Sequence, residues 1–138
     1  MGDECLKLLL DTHVRIWCHE SPERLGAEAA AAIEDDDSEL FVSPVSSLEV
    51  ARLVWGKRLS VTGPARTWVE ETLSALLART LPLSHDVAVE AYELPDNFHR
   101  DPADCLLVAS ARLHDLTLIT ADRRILRYSH VRSLDATR

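Results

Sequence analysis

The sequence predicts an α/β domain with a short, mostly parallel central sheet flanked by helices. Two observations carry this expectation. Short apolar runs suited to buried strands alternate with longer helical segments along the 138 residues. Two of those runs, Leu8-Leu9-Leu10 and Leu116 to Thr120, end at or just before an aspartate. Sites in parallel sheets form beyond the carboxyl ends of the strands, where such residues stand.

The elements follow in order. Leu6 to Leu10 is a buried strand ended by Asp11. Thr12 to Cys18 starts a helix that Pro22 breaks, and the alanine-rich stretch Leu25 to Ile33 is a second helix. The run Asp35-Asp36-Asp37 closes it as a solvated helix end or loop. Leu40-Phe41-Val42 is the next strand. Ser43 then suits an N-cap and Pro44 a first helical position, for a helix to about Trp55 that Gly56 ends. Gly63-Pro64 opens a helix to about Arg79 with Trp68, Leu73, Leu76 and Leu77 on one face. Leu81-Pro82-Leu83 is a brief extended piece, and Ser84 caps a helix through Tyr92, stopped before Pro95. Asp101-Pro102 opens a helix to about His114. Leu116 to Thr120 is a strand ended by Asp122, a helical turn follows, and Val131 to Leu134 forms a last strand. One domain over residues 1–138 is expected.

Composition narrows the function classes. Apolar residues make up 46% of the chain, enough for a core. No apolar run is long enough to span a membrane, and Met1-Gly2-Asp3-Glu4-Cys5 does not resemble a signal peptide, so a cytoplasmic protein is expected. Cys5, Cys18 and Cys105 match no zinc or disulfide spacing and are expected to be reduced, mostly packing residues. A net charge of -8 argues against an extended surface that coats nucleic acid. It does not exclude a nuclease, in which acids would cluster around cations.

Four carboxylates stand out. Taken singly, Asp11, Asp104 and Asp122 each have a plain structural explanation as caps or first-turn acids of the helices they precede. Glu49 is harder to explain. Its helical neighbours Val45, Leu48, Val50 and Leu53 are apolar, which places it at the edge of the core face or partly buried. A buried charge needs a partner, either Arg52 at i+3 or a metal. Jointly, all four could converge at the carboxyl end of one parallel sheet. Packed carboxylates raise one another's pKa, and divalent cations relieve the repulsion. An all-oxygen set suits Mg²⁺ or Mn²⁺, ions that activate water and hold a scissile phosphate.

Four segments also carry a resemblance. Leu8-Leu9-Leu10-Asp11-Thr12-His13 resembles the first motif of PIN-domain nucleases, and Val42 to Val50, with Glu49, resembles their second. His99 to Ala109, with Asp104, resembles the third, and Leu116 to Asp122 the fourth. VapC-like toxins of bacterial type II toxin–antitoxin modules are the nearest match within that family. The resemblance implies a PIN-like three-layer fold and a Mg²⁺- or Mn²⁺-dependent endoribonuclease. It also implies a homodimer, and a cognate antitoxin that blocks the site. It assigns Asp11, Glu49, Asp104 and Asp122 to the acidic metal set, and Thr12 and Thr120 to orienting a carboxylate or water or contacting substrate. Asp101 is either a fifth acid or only the helix cap. Three departures stand near the acids: the neighbourhood of Asp104 holds Ala103 and Cys105 where the family often has an aromatic and an arginine, and Leu48 precedes Glu49 where it often has tryptophan.

Other residues fill out the expectation. His13 and His99 flank the acidic motifs as loop residues or phosphate contacts, and Arg100 is a candidate phosphate ligand. Trp55 and Trp68 are expected to pack, on helices that are candidate dimer or antitoxin surfaces. A phospho-acceptor domain would need a late lysine, but the only lysines are Lys7 and Lys57. A dehalogenase-type phosphatase would need an aspartate where His13 stands. The remaining alternative is a catalytically weak RNA- or antitoxin-binding module on the same fold.

Overall fold

A computed structural model describes residues 5–138. The N-terminal expectation, resting on Met1 to Glu4, lies outside the described residues. Five strands form one parallel sheet in the order β3-β2-β1-β4-β5: β1 (Lys7–Leu10), β2 (Glu39–Val42), β3 (Arg79–Thr80), β4 (Thr117–Thr120) and β5 (Ser133–Asp135). Seven helices connect them: α1 (Thr12–Glu20), α2 (Ala27–Glu34), α3 (Pro44–Trp55), α4 (Ala65–Leu76), α5 (His85–Glu90), α6 (Pro102–His114) and α7 (Arg123–Leu126). A 3-10 turn at Pro22–Arg24 separates α1 from α2.

Side-chain alternation along the strands produces the layers. Leu9 and Leu118 face a core closed by α5 and α6, through Val87, Leu107 and Val108. Leu8, Leu10 and Ile119 face the opposite core, with Val14 and Trp17 of α1 and Leu73 and Leu76 of α4. Ile16, Val50 and Trp68 join α1, α3 and α4 in a third cluster. Both sheet faces are covered, which explains why β1 and β4 read as near-continuous apolar runs.

The helix starts are local chemistry. Ser43 accepts from the Val45 N–H at 3.1 Å and Ser84 from the Val87 N–H at 3.2 Å. Asp101 accepts from the Asp104 N–H at 3.1 Å, with Pro102 in the first helical position. The Asp35 to Asp37 run is exposed beyond α2, as expected of a solvated helix end. All three cysteines are free: Cys105 is buried, Cys18 half-buried and Cys5 exposed. Among the described residues no helix is long and apolar enough to cross a membrane.

Several boundaries differ from expectation, and α2 itself starts at Ala27 rather than Leu25. Helix α4 ends at Leu76, not near Arg79, because Leu77 takes a left-handed conformation (φ 54°) that swings its side chain into solvent. The chain so freed pairs Arg79 and Thr80 with Phe41 and Val42, so β3 precedes the extended piece expected at Leu81 to Leu83. Helix α5 stops at Glu90, with Tyr92 beyond it and exposed. Strand β5 starts two residues later than expected and ends one later, and the Ala136 N–H then donates to the Thr120 carbonyl at 2.9 Å.

The strand order reverses at β1. The chain moves outward through β2 and β3, then returns to place β4 on the other side of β1. A crevice forms at such a reversal, beyond the carboxyl ends of the strands. Asp11 and Asp122 follow the two strands that flank it.

Candidate active site

Asp11 is fixed from three directions. Its N–H donates to the Ile119 carbonyl at 3.0 Å, which continues the β1–β4 pairing one residue past the strand. One carboxylate oxygen accepts from the Thr12 N–H at 2.7 Å, and the other from the Thr120 hydroxyl at 2.6 Å. The residue is buried. Burial pushes its carboxyl above the ordinary value, against the two hydrogen bonds that favour the charged form. The Thr120 hydroxyl also accepts from the Asp122 N–H at 3.0 Å. A single side chain thus ties the acid after β1 to the acid after β4.

Glu49 sits in the second turn of α3, half-buried, between exposed Leu48 and buried Val50. The Thr12 hydroxyl donates to one of its oxygens. Arg52, the expected ion-pair partner, is only loosely engaged at 3.9 Å. Thr12 and Thr120 are both buried, with their hydroxyls turned onto Glu49 and Asp11. Each hydroxyl is thereby committed to a carboxylate. Both side chains lie beneath the cleft surface, Thr12 at 1% and Thr120 at 0% exposure.

Asp104 occupies the first turn of α6, with its side chain 13% exposed. His99 Nε2 lies 3.2 Å and Arg124 Nη2 3.5 Å from its Oδ2. Its carboxyl is pushed up to about 7 by burial and by the negative charges of Asp11, Asp101, Asp122 and Glu49. The Asp101 N–H donates to His99 Nδ1 at 3.3 Å, which leaves the ring proton of the neutral form on Nε2, facing Asp104. Burial and the nearby Arg124 charge lower the His99 pKa and keep the ring neutral. Asp101 caps α6 and also lines the cleft.

Asp122 caps the short helix α7 through the Arg124 and Ile125 N–H groups at 2.8 and 3.4 Å. Arg124 then folds back, placing Nη2 3.0 Å from Asp122 Oδ2. Burial opposes the Asp122 charge, but the Arg124 hydrogen bonds outweigh it and hold the carboxyl below its ordinary value.

Asp11, Glu49, Asp104 and Asp122 therefore share one open cleft of about 370 Å³, with Asp101 at its rim. Arg100 is exposed on the loop before α6. Among the described residues no three of these groups are already closed around one point as a ligand set. Glu49, Asp11 and Asp122 instead accept from Thr12, Thr120 and Arg124, and Asp104 lies within 3.2 Å of His99 and 3.5 Å of Arg124. The donor set still fits a hard divalent cation. It is all carboxylate oxygen, and the Asp104 carboxyl, raised first by burial and then by its acidic neighbours, is one whose charged form a cation would favour. A larger cavity of about 480 Å³ lies near Arg112, Asp115, His130 and Arg132. Its charges are already paired, Arg112 with Glu90, Arg132 with Asp115 and His130 with Asp96.

Two site residues were not singled out for these roles from sequence. Arg124 stands outside the expected site residues, and its sole local signal is its place two residues after a strand-end aspartate. His99 was noted as flanking the third motif, but its contact with Asp104 spans a loop. Trp55 departs from expectation: it is 86% exposed on α3, whereas Trp68 packs at 4% exposure.

The chain is 38% identical over 125 residues to the Ribonuclease VapC22 of Mycobacterium tuberculosis, covering 91% of this chain and 94% of that protein. Its fold is similar to a toxin–antitoxin complex from Klebsiella pneumoniae (TM-score 0.64, 21% identity, 94% of this chain and 97% of the other). It is similar also to VapBC-1 from nontypeable Haemophilus influenzae (TM-score 0.65, 13% identity, 96% and 100%). Residues 8–131 match the PIN domain, a span that holds all four acids, and the chain belongs to that family.

Proposed function

We propose that this chain is a divalent-metal-dependent endoribonuclease, the toxin of a toxin–antitoxin pair, working as one domain in the cytoplasm. The observation that carries the reading is the convergence of Asp11, Glu49, Asp104 and Asp122 on one cleft at the sheet reversal. Likeness to a ribonuclease along nearly the whole chain supports it.

In this reading the four carboxylates hold Mg²⁺ or Mn²⁺, with Asp101 as a further oxygen at the rim. The chemistry such an ion supplies is activation of a water and neutralisation of the phosphodiester under attack. The protein's own part is positioning. Thr120 fixes the rotamer of Asp11, and Thr12 fixes that of Glu49. His99 packs its Nε2 3.2 Å from Asp104 and limits where that carboxylate can turn. Arg100, exposed beside α6, lies where it can take an RNA phosphate. Exposed Leu48 and Trp55 on α3 support the further proposal of a homodimer or antitoxin contact on that helix. A cognate antitoxin partner accords with the toxin–antitoxin complex of similar fold.

The weak RNA- or antitoxin-binding module is favoured by one feature, the engagement of every acid by a protein side chain. Incubating the purified chain with RNA separates the two readings. Cleavage should require Mg²⁺ or Mn²⁺, stop with EDTA, and fall at least about 100-fold in Asp11→Asn. Cleavage indifferent to both changes would reject the nuclease site. No cleavage under any metal would favour the binding module.

A further inference from the structure

Arg124 stands in an unusual place for a basic residue. Five carboxylates line the cleft, and among its described lining residues Arg124 supplies the only permanent positive charge. One guanidinium nitrogen, Nη2, reaches two acids at once, Asp122 at 3.0 Å and Asp104 at 3.5 Å. Nε adds a longer contact to Asp122 at 3.4 Å. These two acids come from different elements, one capping α7 and the other in the first turn of α6. A cation joining them would need the oxygens that Nη2 now faces.

The arm is free to leave. The Arg124 side chain is 55% exposed, so little packs over it. Its backbone N–H is held separately by Asp122, so the side chain can swing without unwinding α7. A planar guanidinium displaced from two carboxylates keeps its full charge and its fork of donors, the geometry that matches a phosphate.

We propose that Arg124 is a displaceable counter-ion: it bridges Asp104 and Asp122 in the metal-free protein, and divalent cations release it to bind an RNA phosphate at the mouth of the cleft. The inference rests on the metal-nuclease reading above and adds a residue and an order of events to it. Cation loading and RNA binding become coupled, because the positive charge that competes with the metal becomes the charge that receives the substrate. The departure at Cys105 agrees with this arrangement: the α6 position after Asp104 carries no cation, and α7 supplies one from across the cleft.

The test is titration of Mn²⁺ alone, followed by electron paramagnetic resonance of the free ion, into the full chain without RNA. Arg124→Ala should bind Mn²⁺ several-fold more tightly than the unaltered protein, with Arg124→Lys in between. At saturating Mn²⁺, Arg124→Ala should raise KM for a short cleavable RNA about tenfold with a smaller change in kcat, and Arg124→Lys should restore part of it. A merely structural arginine would give neither tighter metal binding nor rescue by lysine. Unchanged or weaker Mn²⁺ binding in Arg124→Ala, or an unchanged KM, would overturn the proposal. Failure of the unaltered protein to bind Mn²⁺ at all would overturn the metal-nuclease reading itself, a distinct result.

Discussion

The Thr120 hydroxyl donates to Asp11 across 2.6 Å while accepting from the Asp122 N–H at 3.0 Å, so one buried side chain sets the spacing of two cleft acids. Thr120→Val keeps the shape and removes both hydrogen bonds. Burial would then push the Asp11 carboxyl higher still, since the lost bond favours its charged form. Cleavage efficiency should fall about 10- to 100-fold at neutral pH, with a smaller deficit at higher pH. A pH–rate profile of kcat/KM checks this, and a deficit equal at every pH would contradict it.

Asp104 makes metal-free stability depend on pH with a definite sign. Its carboxyl lies near 7 in the fold against an ordinary value of 3.8. The folded state therefore binds more protons than the unfolded chain between those values. The stability this contributes is fully present below about 4 and is lost as pH rises through about 7. In EDTA, raising pH from 5 to 7.5 should lower Tm more in the unaltered protein than in Asp104→Asn, by roughly 5 °C or more. Added Mg²⁺ should remove the difference at pH 7.5. Parallel pH dependences of the two proteins would count against the site's electrostatics.

The two tryptophans separate exposure from packing. Trp68 is buried among Ile16 and Val50, and its indole N–H donates to Glu20 at 2.9 Å. Trp68→Ala should cost about 3–5 kcal/mol of stability. Trp55→Ala should change monomer stability by no more than about 0.5 kcal/mol. Denaturant melts at low protein concentration give both numbers, and comparable losses would contradict the placement of Trp55.

Gly26 marks a close approach rather than a flexible turn. A Cβ there would lie 2.0 Å from the Arg138 carbonyl carbon, where the Glu28 N–H donates to the Arg138 carbonyl at 2.8 Å. Gly26→Ala should destabilise the fold by about 1–3 kcal/mol through overpacking, while leaving Mn²⁺ affinity unchanged. Thermal melts and metal titration read the two effects independently.

What was legible in the sequence was local. Ser43-Pro44 and Asp101-Pro102 announce their helices because caps act within a few residues. Leu8-Leu9-Leu10 and Leu118-Ile119 read as buried strands because both sheet faces are covered. The four acids were legible as a set because Asp11 and Asp122 follow strands and Asp104 and Glu49 lie in the first two turns of their helices. Strand β3 was not, because two residues carry no periodicity and leucine is an uncommon residue for a left-handed helix end. Nor were the partners of the acids. Thr12 meets Glu49 across 37 positions and Thr120 meets Asp11 across 109, separations that only the folded sheet closes. Periodicity groups Leu48 and Trp55 on one helix, but it does not say that none of the described residues covers them.

The cation site itself is tested most directly by anomalous diffraction from crystals of the unaltered protein soaked in Mn²⁺. Manganese should appear in the cleft within ligand distance of Asp11 and of Asp104 or Asp122, with Arg124 withdrawn from both latter acids. Manganese only at surface carboxylates such as Asp35 to Asp37, with the cleft still closed by Arg124, would contradict a metal-dependent nuclease.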